Sequence, residues 1–181
     1  MNTKKNAFHF VILIPHRDAE TPFNEYRQKL FSIGAFGAYS FPAAAPLAAV
    51  SSPFSRDELK ELAGTLRRLS AKTDGKILCQ RTNVTVNFEH LSFFGPPVDL
   101  PLDKGCFPET ARNKGLFVLC SPPLCAALLS PEEPQPHEPP PALSFRAAAL
   151  ANLAIWPLAD GEKGYSYEWE TGPLVWLPKK I

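Results

Sequence analysis

Residues 8–14 form a short, nearly continuous apolar run. That is the pattern of a strand covered on both faces. Thr21-Pro22 then offers a capping residue followed by proline at a first helical position. Tyr26, Leu30 and Ile33 follow at i, i+4 and i+7, a single helical stripe that Gly34 is placed to end. Residues 36–46, rich in Ala, Pro and aromatics, read as extended chain, and 46–50 as a second short strand. Ser55-Arg56-Asp57-Glu58 is a capping box, with hydroxyl and carboxylate three residues apart. Leu59, Leu62, Leu66 and Leu69 recur behind it at helical spacing, with acidic residues early and basic residues late, as the helix dipole favours.

Asp74-Gly75 predicts a turn, and 76–94 reads as two strands or one bent strand. There Asn83, Thr85 and Asn87 alternate with Val84, Val86 and Phe88, the period of a sheet with one wet face. Residues 101–115 read as loop with one helical turn near 109–113, 116–120 as a strand, and 122–129 as a short helix capped by Ser121. Residues 130–141 are proline-rich and read as a surface spacer of polyproline character. The apolar stretch 143–158 fits strand or helix, its alanines tolerating helix. Tyr165, Tyr167 and Trp169 alternate with Ser166, Glu168 and Glu170, a strand with an aromatic and a polar face, and 174–177 forms the last strand.

Composition narrows the classes. With 45% hydrophobic and 20% charged residues, the 181-residue chain has the balance of a globular protein. Its 20 prolines are about twice the usual share of roughly 5%, so many connections are expected to be stiff and extended. A net charge of +1 supplies no global field for polyanions, so strong nucleic-acid binding is not expected. No stretch reaches the ~20 apolar residues of a membrane span. Lys4-Lys5 ahead of the first apolar run imitates a signal peptide. The run contains His9, however, and passes directly into His16-Arg17-Asp18 without a small-residue cleavage site, so a cytoplasmic protein is expected. Cys79, Cys106, Cys120 and Cys125 form no C-x-x-C pair and no zinc-type cluster with the histidines. They are expected to be reduced and buried, and no metal or other cofactor is implied. Glycine-rich phosphate loops, G-x-S-x-G elbows and H-E-x-x-H motifs do not occur.

The element order is β-α-β-α-ββ followed by β-(α)-β-ββ, two similar halves meeting near residue 100. Together with the segments Pro46-Leu47-Ala48-Ala49-Val50 and Ala151-Asn152-Leu153-Ala154-Ile155, this order resembles the two-histidine phosphoesterases, the LigT-like ligases and cyclic phosphodiesterases. The resemblance implies an α+β fold within one domain, 1–181, with a strand at least over 152–156. It has two pseudo-symmetric lobes, 1–100 and 101–181, of antiparallel sheets with helices packed outside. It also implies a central cleft to which each lobe contributes a His-x-Thr/Ser strand, one imidazole acting as base and the other as acid. Neither segment carries its histidine. Alternation would put Leu47 and Ala49, and Asn152 and Ala154, on the cleft side. Only Asn152 among them can hydrogen-bond through its side chain, and it is no acid or base near neutral pH. The family reaction is therefore not expected, and no catalytic residue is assigned.

What remains is a degenerate scaffold binding a small phosphorylated or nucleotide-like ligand. Its expected contacts are His16, Arg17, Arg146 and Asn152, with Trp156 as a stacking surface. Arg81 is a further anion contact if it points inward. Asn83, Thr85 and Asn87 line a cleft or face water, His9 and His90 read as strand histidines, and His137 lies in the proline loop. Glu168 and Glu170 form a carboxylate pair on one strand face, with nothing converging on it. Trp156, Trp169 and Trp176 are expected chiefly in core or interface. Two other classes stay open: an interaction module, homodimeric or otherwise, using Tyr165, Tyr167 and Trp169, and an enzyme with relocated chemistry at His16 or His90.

Overall fold

The computed structural model describes residues 6–34, 36–39, 41–70, 77–80, 82–89, 91–125, 127–128, 145–157 and 165–177. The elements run β1 (Asn6–Pro15), α1 (Arg17–Ser32), β2 (Ala45–Val50), α2 (Arg56–Ser70), β3 (Val84–Phe88), β4 (Leu91–Gly95), α3 (Glu109–Arg112), β5 (Phe117–Val118), β6 (Ala127–Leu128), β7 (Phe145–Pro157), β8 (Tyr165–Thr171) and β9 (Val175–Trp176). They form an α+β fold with two antiparallel sheets. A six-stranded sheet has the order β5-β2-β1-β7-β8, with β9 also on β7, and a three-stranded sheet has the order β3-β4-β6. Each sheet draws strands from both sides of residue 100.

β1 is the central strand, and its apolar run is buried on both faces as its pattern predicts. Val11 and Leu13 join one core cluster with Phe23 and Leu30 of α1 and with Leu59, Leu62 and Leu66 of α2. Phe10 and Ile12 join the other, with Phe41, Leu91, Phe93, Ala149 and Ala151. Phe10 is its hub, with edge-on ring contacts to Phe41, Phe88 and Phe93 at 5.8, 5.5 and 5.4 Å. That geometry lets the positive ring edge meet the negative face. The 13-residue β7 passes beside β1 with Ala147, Ala148, Ala149 and Ala151 fully buried. Alanine has better helix than strand propensity, yet this segment is strand along its described length. Pairing with β1 satisfies its backbone, and small side chains leave room for the phenylalanines.

The capping box of α2 forms on both sides: the Ser55 amide donates to Glu58 at 2.6 Å and the Glu58 amide to the Ser55 hydroxyl at 3.2 Å. At α1 the expectation needs correction. His16, not Thr21, is the N-cap, its Nδ1 accepting from the Asp18 amide at 3.4 Å, and Pro22 lies inside the helix. The missing N–H of Pro22 leaves unbonded only the carbonyl of Asp18, which is exposed to water. Ile33 is exposed, while Phe23 and the buried Arg27 share the inner face with Tyr26 and Leu30. Arg27 donates through Nε to the Ala38 carbonyl and through Nη2 to that of Phe41 at 2.6 Å, fixing the chain between α1 and β2. That chain, expected to be extended, includes a 3-10 turn at Phe36–Tyr39.

The helix expected over 122–129 is absent. The amides of Val98 and Leu124 bond to the carbonyls of Pro122 and Pro96, and the Cys125 amide to that of Ala44, so the backbone there is committed to its neighbours. Ala127–Leu128 then adds β6 beside β4. The strand at 116–120 shortens to Phe117–Val118. The β3–β4 hairpin has the expected wet face, with Thr85 and Asn87 exposed. Asp74-Gly75, the spacer 130–141 and His137 lie outside the described residues.

Phe10→Ala is expected to cost about 3–5 kcal/mol, the range for emptying a packed aromatic site. The shift of the urea midpoint at unchanged m-value would measure it.

Candidate functional site

The two segments without histidines both border β1. Ala49 and Ala151 lie opposite Phe10 from the two sides, and Val50 and Asn152 lie opposite His9. The first does not keep the expected alternation. Val11 pairs with Ala48 and Ile12 with Pro46, so Leu47 is the extra residue of a bulge. Leu47 consequently packs with the helix-side core and Ala49 with the phenylalanine core, 0% and 4% exposed. Asn152 lies on the face of His9 and is exposed. The four positions therefore share no cleft, and the space between the sheets is filled by Phe10, Phe41 and Phe93.

An open hollow of about 330 Å³ remains at the end of the sheet where β1 enters and β2 leaves. Phe8, Phe88 and Phe117 form apolar walls; Ser51 and Glu89 contribute polar groups; His9, Ala49, Val50 and Gly115 are among the rest of its lining. Phe88 touches Phe8 edge-on at 5.7 Å and Phe117 at 5.3 Å. Phe117, on the edge strand β5, is 50% exposed. His9 Nδ1 meets Asn152 Oδ1 at 2.7 Å. An amide oxygen only accepts, so this contact puts the proton of a neutral imidazole on Nδ1 and leaves Nε2 an acceptor.

A buried ion pair buttresses the rim. The Ser51 amide and hydroxyl both donate to the Lys114 carbonyl, at 2.8 and 2.7 Å. Lys114 Nζ reaches Glu58 at 2.7 Å and the Pro53 carbonyl at 3.0 Å, and Thr110 donates to Glu58 at 2.8 Å. The next residue, Gly115, has φ +62° and would place a Cβ 2.9 Å from the Ser51 hydroxyl, which leaves no room for a side chain. Burial alone would raise the Glu58 pKa. The hydrogen bonds from Lys114, Ser55 and Thr110 outweigh it and hold the carboxyl down at about 2, against an ordinary 4.5.

The residues expected to bind ligand do not converge. Arg146 is six positions from Asn152 along β7, about 20 Å at strand rise. It donates to the Pro15 carbonyl at 2.9 Å and to Glu20 at 2.8 Å, and its guanidinium lies 5.3 Å from the centre of the Trp176 ring. His16 stands beside Asp18 at 3.1 Å, and Arg17 is exposed at the start of α1. Trp156 lies on β7 opposite Ser166, its side chain outside the described set, as are Arg81 and His90. Trp169 and Trp176 are 42% and 57% exposed rather than in the core, because β8 and β9 cover only one edge of β7. Asn83 turns inward and donates to the Tyr26 hydroxyl at 3.0 Å; burial pushes that phenol up to about 12. Three cysteines are buried and Cys120 is exposed, and burial pushes the Cys79 thiol up to about 12, removing it as a nucleophile.

Among the described residues no three His, Cys, Asp or Glu gather as metal ligands, and no helix is long and apolar enough to cross a membrane. Sequence reasoning read His9 as a strand histidine and passed over Ser51, Glu89 and Phe117. The available signal was His9 itself, a polar residue within a buried strand run. No family model, curated protein or solved structure matches the chain.

Because the folded pKa of Glu58 is depressed, the unfolded chain takes up its proton first as pH falls. The contribution of Glu58 is then full above pH 4.5 and lost between 4.5 and about 2. It should amount to at most about 3 kcal/mol. Urea titrations across that window should show the loss in the wild type and a flatter profile in Glu58→Gln.

Proposed function

We propose that the protein is a small-molecule binding protein on a LigT-like scaffold, taking a nucleotide-like ligand without turning it over. One observation carries this reading: the hollow at the ends of β1 and β2, with aromatic walls and the Glu89 carboxylate at its side. Aromatic walls fit a planar ring, since every base offers a π-face. The family reaction is not expected, since Leu47, Ala49 and Ala154 cannot move a proton and Asn152 is no acid or base near neutral pH. Calorimetric titration with mononucleotides and nucleoside 2′,3′-cyclic phosphates should give saturable binding, with the cyclic phosphates recovered intact. Phe117→Ala, at an exposed position, should weaken binding at least about fivefold. Silence with every ligand sinks the binding reading, and linear products restore catalysis.

A second reading rests on the exposed Trp169 of β8, whose outer edge pairs with no described strand. Such an edge can accept a partner strand. In a second copy paired along the whole of β8, Glu168 would face Glu168, so a different protein is the better fit. Sedimentation should then give the monomer mass at high concentration; a dimer lost in Trp169→Asp would instead make the partner a second copy.

A further inference from the structure

The side chains of the hollow share one property: their free polar atoms are hydrogen-bond acceptors. Ser51 and Glu89 bring the polar side chains to the hollow, since His9 alternates to the other face of β1 from Phe8 and leans to Asn152 of β7. Glu89, in the turn after β3, makes no ion pair or hydrogen bond to a described residue. The Ser51 hydroxyl spends its proton on the Lys114 carbonyl and keeps its lone pairs. No lysine or arginine is among the described lining residues. Lys114 stands close by, but its ammonium is turned to Glu58 and the Pro53 carbonyl.

We infer that the hollow is a seat for a planar heteroaromatic ring that donates N–H hydrogen bonds, a nucleobase edge, with the ring against Phe8, Phe88 and Phe117 and its donors on Glu89 and the Ser51 hydroxyl. This rests on the binding reading above and narrows it: the base end is held here, and a phosphate, where the ligand carries one, lies outside and adds no affinity. An anion inside would meet the Glu89 carboxylate with no cation to offset it. The size agrees, since about 330 Å³ is at the small end of ligand sites and suits one ring system.

The test is calorimetry with the four ribonucleosides, their 5′-monophosphates and inorganic phosphate. The nucleoside that binds best is then compared with its analogue methylated on the donating nitrogen. Nucleoside and monophosphate should bind within a few-fold of each other, and methylation should cost roughly tenfold or more. Glu89→Lys, in an exposed turn, replaces an acceptor with a donor and should cost a similar factor. Thermal melts establish that the variant is folded. A monophosphate bound far more tightly than its nucleoside, competition by inorganic phosphate, or binding indifferent to Glu89→Lys would overturn the donor-ring seat while leaving a binding protein. No binding by any of these compounds would remove both.

Discussion

Everything in this fold is arranged around the double burial of β1. Val11 and Leu13 look into the helical core, and Phe10 and Ile12 into the core between the sheets. A strand with no wet face needs a layer on each side and a neighbour on each edge. α1 and α2 supply one layer, the β3-β4-β6 sheet the other, and β2 and β7 the edges. The alanines of β7 follow from the same constraint. With Phe10, Phe41 and Phe93 filling the space between the sheets, adjacent positions must be small, because interiors pack at crystal-like density.

That packing bears on the chemistry. In a two-histidine phosphoesterase, water and substrate must reach a cleft between two lobes. Here the two segments likened to its motif strands border one buried strand, a bulge at Leu47 sends Leu47 and Ala49 into different cores, and aromatic rings occupy the space between the sheets. The open hollow lies at the end of β1, where the strand emerges from its double cover. Its rim is held from below by the Glu58, Lys114 and Thr110 network. A capping carboxylate of α2 thereby also positions the loop that carries Gly115.

Charge is handled locally. Arg146 is neutralised by Glu20, Lys114 by Glu58, and Arg27 is held by backbone carbonyls. Arg146, which in sequence looked available to an anion, instead links β7 to the start of α1, and Arg27 closes the turn before β2.

The strands with a clear pattern, the capping box of α2 and the wet face of β3 were legible in the sequence because each follows from local chemistry: period, hydroxyl and carboxylate spacing, and polar alternation. Asn152 was legible as a hydrogen-bonding group, but its partner was not, since His9 lies 143 positions away and only sheet register brings them together. The same holds for the hollow, assembled from the ends of β1 and β2 with the β3–β4 turn and the loop before β5. Long-range pairing also decided where local signals misled. The alanines of β7 became strand because β1 required an edge partner, and residues 122–125 gave up a helix because their backbone groups were taken by Pro96, Val98 and Ala44. Local propensities amount to tenths of a kcal/mol per residue, whereas leaving buried backbone groups unpaired costs about 1–3 kcal/mol each; the tertiary structure therefore settled those segments.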